Sequence, residues 1–177
     1  MEIYRPSSEA QESLTGNLKE LYHQTQQLGL SLPDAFLHFM ASPELQERIP
    51  SCTACYFELP EKILPCPGSQ DGYIISFLRD QQDCLIWYLY LTPSNEHCVL
   101  ISDSGLAWLA DPEQASEISH PVRILQATVV GAPSFEEFIY RFWLENTLWF
   151  KLHEHDGAFT EEEKRYIEHY AAKPEEN

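Results

Sequence analysis

The order of apolar patterns along the chain predicts an α+β fold with a central mixed, largely antiparallel sheet flanked by N- and C-terminal helices. Apolar residues follow helical spacing before residue 41 and after residue 134, and they follow strand-like runs between. The 177 residues, 44% of them hydrophobic, fit one core. We therefore expect a single domain over 1–177, with an N-terminal helix in 1–29, a core in 30–152, and a C-terminal helix and tail in 153–177.

Helices are predicted at the beginning of the chain. The first covers 8–28, where leucines recur at three- and four-residue steps and Gly29 stands where a C-terminal cap belongs. Pro33 opens a second helix, because its fixed φ suits the first turn. A short helical piece is expected over 43–48.

The middle of the chain predicts the strands of a sheet. The candidate segments are rich in β-branched and aromatic residues, and turn-forming residues separate them. These segments are 55–59, 73–79, 84–91, 98–102 and 122–130.

In the hairpin around Gln81 and Gln82, strict alternation assigns each side chain to one of two faces, provided that the loop has two or four residues. One face would carry Ile74, Ser76, Leu78, Leu85, Trp87, Leu89 and Leu91. The other would carry Tyr73, Ile75, Phe77, Arg79, Cys84, Ile86, Tyr88 and Tyr90. Neither face is polar, so two alternatives stay open: helices cover both faces, or part of the tyrosine face meets a partner.

Two capping boxes predict the C-terminal helices. Ser134 precedes Glu137 by three residues, and Thr160 precedes Glu163 by the same spacing. The first of these helices carries a wide aromatic stripe and should run to about Leu152.

The charge balance is the strongest bulk signal. With 28 acidic and 11 basic residues the formal net charge is −17. Such a surface repels phosphate backbones and anionic lipids, so we expect neither nucleic-acid nor membrane binding. We expect a protein partner to be basic. No glycine-rich phosphate motif is present in the sequence, and no cofactor is expected.

Cysteine usage and the N-terminus predict a cytoplasmic protein. Five cysteines, an odd number, are typical of a reducing compartment, and the sequence shows no signal-peptide pattern and no apolar run of membrane-spanning length. Cys52 and Cys55 form a C-x-x-C without the further ligands that zinc needs. We expect no metal site and no catalytic residues; a cysteine-dependent metal or redox protein is the weaker alternative.

Four segments carry a family resemblance: the Leu-Pro-Asp-Ala-Phe-Leu-His-Phe run at 32–39 and the segments 51–57, 80–91 and 138–143. They resemble the SUKH superfamily, which includes fungal cell-wall assembly regulators and bacterial immunity proteins. The resemblance covers about residues 28–152, although Ala41-Ser42-Pro43 replaces a glycine-containing turn that many members have. It implies an α+β domain without catalysis whose task is protein binding, often the neutralisation of a toxin such as a nuclease.

The expected function is therefore non-enzymatic protein binding, with the hairpin as the expected contact region. A bacterial immunity protein facing a basic toxin is one form of this function, and a regulatory scaffold with a non-toxin partner is the alternative. The candidate partner-binding residues are Tyr73, Asp80, Gln82, Asp83, Tyr88 and Tyr90.

Overall fold

The computed structural model describes residues 8–103, 105–116, 120–154 and 157–171, and it confirms the α+β fold. The helices are α1 Ser8–Leu28, α2 Asp34–Met40, α3 Pro43–Gln46, α4 Gly105–Ala110, α5 Pro112–Ala115, α6 Pro121–Ala127, α7 Phe135–Glu154 and α8 Glu161–Ala171. The strands are β1 Tyr56–Phe57, β2 Leu64–Pro65, β3 Tyr73–Arg79, β4 Ile86–Leu91, β5 His97–Ser102 and β6 Val129–Ala132.

The six strands form one sheet in the order β1-β3-β4-β5-β6, and β2 pairs with β3 further along the same strand. Every strand pair among the described residues is antiparallel. One face packs against α1, α2 and α7 around Phe36, Phe77 and Phe135, whose rings contact edge to face. The other face packs against α4 and α6 through Leu106 and Ile124. Helices therefore lie against both faces of the sheet.

A bulge in β3 makes the predicted hairpin faces wrong for part of the strand. Strict alternation also places Ser76 across from Trp87, but Leu78 occupies that position. The register then shifts, so that Ser76 lies opposite Tyr88 and Ile75 opposite Leu89. One extra residue in a strand exchanges the faces of all residues beyond it. Ile74 and Ser76 therefore lie on the Tyr88 face, and Tyr73 and Ile75 share the Trp87 face.

The predicted strand over 122–130 is also wrong. Pro121–Ala127 forms α6, and the strand begins only at Val129. Pro121 occupies the first turn of the helix, where its missing N–H costs nothing. Ile124 on this helix packs beside Gly105 of α4, so tertiary packing overrides the β-branched composition.

The capping boxes begin the C-terminal helices as predicted. The hydroxyl of Ser134 accepts a hydrogen bond from the backbone N–H of Glu137 at 3.2 Å. Thr160 and Glu163 form the reciprocal pair, since the Glu163 N–H donates to the Thr160 hydroxyl and the Thr160 N–H donates to the Glu163 carboxylate.

Candidate functional site

The acidic side chains at the hairpin tip are held by hydrogen bonds and ion pairs. Arg79, at the end of β3, forms ion pairs with Glu58 and Asp83. Burial lowers the pKa of Arg79, but the two carboxylates outweigh it and raise the pKa overall. The Asp80 carboxylate accepts a hydrogen bond from the Leu85 N–H at 3.1 Å. The predicted contact residues Asp80 and Asp83 thus lie together, beside the exposed Gln82.

The three candidate tyrosines do not form one surface. Tyr88 is only 1% exposed, its hydroxyl donates to the Asp103 carbonyl, and burial raises its pKa. Tyr90 lies on the same face, half-buried, with its hydroxyl hydrogen-bonded to Ser69. Tyr73 lies on the opposite face because of the bulge. The expectation that Tyr88 contacts a partner is therefore corrected: its ring is part of the core.

An open groove lies beside the hairpin tip. Its volume is about 380 Å³. It runs across β4, β5 and β6 at the hairpin end, with α7 as one wall and the loop after α3 at the side. The lining residues are Cys52, Thr53, Leu85, Trp87, Ile101, Gly131, Phe138, Arg141, Phe142, Glu145, Asn146 and Trp149. We refer to this site as the hairpin groove.

Aromatic and aliphatic side chains form the floor and the mouth of the hairpin groove. Trp87 is nearly buried and packs against Phe138 and Phe142, with ring centroids 6.2 and 5.9 Å apart. Leu85 and Trp149 are 45% and 39% exposed, so the apolar lining reaches the solvent. Apolar surface left exposed around a concave site is typical of a binding surface.

The polar side chains of the groove bind to one another. Arg141 donates from Nε to the Glu145 carboxylate at 3.1 Å, and the same carboxylate accepts from the Tyr166 hydroxyl of α8. Asn146 accepts from the Cys52 N–H at 2.7 Å and donates to the Phe142 carbonyl at 2.8 Å. The Asn146–Cys52 contact joins the loop after α3 to α7, and the Tyr166–Glu145 contact joins α8 to α7.

The two cysteines of the C-x-x-C segment differ in exposure. Cys52 is exposed and Cys55 is buried, and neither is in a disulfide. Desolvation, together with the neighbouring Cys55, raises the pKa of Cys52 above its ordinary value, which favours the thiol over the nucleophilic thiolate. Within the described ranges no group of three or more His, Cys, Asp or Glu residues is placed to hold a metal ion.

Comparisons with models of known families, with characterised proteins and with solved structures found no match to this chain. Of the helices in the described part of the chain, none combines the length and the apolar character needed to cross a membrane.

The hairpin groove is not predicted by the sequence patterns described above. The aromatic stripe of α7 was visible, and it supplies Phe138, Phe142 and Trp149. Leu85 and Cys52 reach the same site only through the packing of the hairpin and of the loop after α3, which no local pattern encodes.

Proposed function

We propose that this chain is a non-enzymatic protein-binding domain that takes a basic partner at the hairpin groove and the adjoining hairpin tip. The observation that carries the proposal is the apolar groove whose mouth exposes Leu85 and Trp149. Exposed aromatic and aliphatic anchors in a pocket are the usual centre of a protein interface. Two hydrogen bonds support binding, because they join α7 to other walls of the groove: Asn146 accepts from the Cys52 N–H, and Arg141 donates to the Gly131 carbonyl.

The charges beside the groove favour a basic partner. Glu58, Asp80 and Asp83 lie at the hairpin tip with Arg79 as their neighbouring cation, and the whole chain has a net charge of −17. A surface of this sign raises the association rate of a positively charged protein. Apolar contacts in the groove would then slow its dissociation.

A bacterial immunity protein of the SUKH superfamily is the particular form of this function that the sequence resemblance favours. The antiparallel sheet with helices before and after it is compatible with that proposal. The partner would then be a basic toxin domain, while a regulatory scaffold would bind a different basic protein. We also propose a cytoplasmic location, which the five free thiols support.

Capture with matched groove variants tests the proposal. The wild-type chain, Leu85→Arg and Leu28→Arg are immobilised, and the captured protein is identified, purified and titrated against each. Leu28 is a suitable control because it is 38% exposed on α1 and takes the same charge change. We expect a basic protein whose affinity falls about tenfold or more with Leu85→Arg and is unchanged with Leu28→Arg. Equal affinity for both variants would place the interface elsewhere.

Neutralising the hairpin tip tests the electrostatic part of the proposal. Asp80→Asn with Asp83→Asn should slow association of that partner and reduce its salt dependence, with little change in dissociation. The control is Glu175→Gln with Glu176→Gln in the C-terminal tail, which lies outside the described residues and changes the net charge equally. If the tail pair slows association as much, steering depends only on the total charge.

A further inference from the structure

The sheet ends in an open strand edge at β6. β6 pairs with β5 on one side, and no strand within the described residues pairs with its other side. Val129 and Val130 are 53% and 65% exposed. An edge strand presents unpaired N–H and C=O groups and is a template for a further strand unless charges or covering segments protect it.

The segment around β6 differs in charge from the rest of the chain. Residues 118–135 contain no Asp or Glu, and they form the longest acid-free stretch in the sequence. Arg123, exposed on α6 just before β6, is the one basic Lys or Arg residue of this stretch, whereas the charge of Arg141 is paired with Glu145. A chain with a net charge of −17 repels a second copy of itself at most surfaces, so an acid-free edge is where two copies can approach.

We propose that β6 pairs antiparallel with β6 of a second copy of this chain, which joins the two sheets across a two-fold axis. Such an interface is isologous, because each strand donates to and accepts from the identical strand of the other copy. The two-fold axis then passes through one of the two exposed valines, Val129 or Val130, whose side chain lies beside its own symmetry mate on one face of the joined sheet. The β6 edge lies next to the hairpin groove, since Gly131 of β6 also lines that groove, but the proposed contact does not include Leu85 or Trp149.

The geometry of β6 makes this dimer a weak one. The strand has four residues, and a register shift opposite Val99 and Leu100 places a bulge at Gly131. The Gly131 carbonyl already accepts a hydrogen bond from Arg141 at 3.5 Å. Pairing is thereby confined to the Val129–Val130 part of the edge. Salt should strengthen the dimer, because it screens the repulsion between two acidic chains.

Sedimentation equilibrium of the full chain tests this proposal, over about 5 to 500 µM protein at low and at physiological salt. The variants are Val130→Lys, which places a charge on the strand edge, and the control Leu152→Lys. Leu152 is a matched site because it is 54% exposed and its replacement makes the same change of net charge. It lies near the C-terminal end of α7, about 25 Å along the helix axis from Phe135, the residue at the end nearer to β6 in the sequence.

We expect the wild type and Leu152→Lys to form dimers with equal dissociation constants that fall as salt rises. Val130→Lys should raise the dissociation constant about tenfold or more. Amide exchange of Val129 and Val130 should slow as the protein concentration rises. A wild type that stays monomeric at the highest concentration overturns the proposal, as does a dimer that both lysine variants weaken equally. Circular dichroism of each variant checks that the fold is retained.

Discussion

The ammonium group of Lys151 on α7 donates to both carboxylate oxygens of Glu163 on α8, at 2.8 Å each. The same carboxylate accepts from the backbone N–H of Thr160 at 2.7 Å. Burial by itself would raise the pKa of Glu163, but the contacts with Lys151 and Thr160 outweigh it and lower the pKa. One carboxylate therefore both begins α8 and attaches it to α7.

Lowering the pH should release α8 before the core unfolds. The pKa of Glu163 is lower in the folded state than in the unfolded chain, so its contribution is complete above the unfolded value and is lost as the pH falls through the folded value. No described residue of α8 belongs to either apolar core cluster, so polar contacts hold the helix: besides those of Glu163, Tyr166 donates to Glu145, and Tyr140 of α7 donates to Glu162. We expect the protection factors of the α8 amides, that is, their exchange rates corrected for the intrinsic pH dependence, to fall at acid pH while those of β3 and β4 stay high.

The isosteric variant Glu163→Gln provides the control for this pH dependence. Without the ionisable carboxylate, the amide exchange of α8 should be fast already at neutral pH and should change little on acidification. Glu161, an exposed carboxylate that pairs with Lys164, provides a matched site. Glu161→Gln should leave the pH dependence of α8 unchanged. A wild-type pH profile retained in Glu163→Gln would contradict the assignment.

Removing Trp87 should destabilise the core strongly. The side chain is 8% exposed and packs against Phe138 and Phe142 of α7. Trp87→Ala should lower the free energy of unfolding by about 3–5 kcal/mol, measured by urea denaturation. Leu85→Ala, two residues earlier and 45% exposed, should cost less than about 1 kcal/mol. Similar losses for both variants would mean that Trp87 is not a core residue.

Local periodicity predicted α1, α2, α3, α7, α8 and most of the strands, but it did not predict α4 to α6 or the exact faces of the sheet. Alternation has a period of two, so the single extra residue between Ser76 and Leu78 is enough to exchange the faces beyond it. Nothing in the run Tyr73–Arg79 marks that position, because all its central residues are buried. The α6 segment was misassigned for a related reason: its β-branched residues favour a strand, whereas Pro121 and packing on α4 favour a helix.

The candidate site was predicted in part. The turn-forming residues between β3 and β4 predicted the position of the acidic hairpin tip, and Asp80 and Asp83 do flank a short loop there. Tyr88 could not be assigned correctly, because an aromatic residue in an apolar strand looks the same whether a helix covers it or not. The groove depends on contacts between distant elements, such as Asn146 with Cys52, which are 94 residues apart.

Replacing the C-x-x-C thiols should leave the fold intact. Cys55 is buried in the core and Cys52 is exposed, so Cys52→Ser with Cys55→Ala should lower the free energy of unfolding by about 1 kcal/mol through lost packing. Metal content, measured by mass spectrometry of the purified protein, should not differ between the wild type and this variant. Cys84→Ser, at another exposed cysteine, is the control. Loss of bound zinc together with unfolding would contradict this prediction.

Gly131 should tolerate a side chain only if Ile101 on the neighbouring strand becomes smaller. A Cβ at position 131 would lie 2.6 Å from Cδ1 and 2.7 Å from Cγ1 of Ile101, closer than van der Waals contact permits. Because Ile101 is β-branched and has few rotamers, Gly131→Ala should lower the free energy of unfolding by about 1–3 kcal/mol. In combination with Ile101→Ala the clash is absent. The double variant should therefore lose less free energy of unfolding than the two single variants lose together, by about 1 kcal/mol or more. Urea denaturation of the four proteins measures this coupling, and strict additivity would show that β6 shifts away from β5 instead.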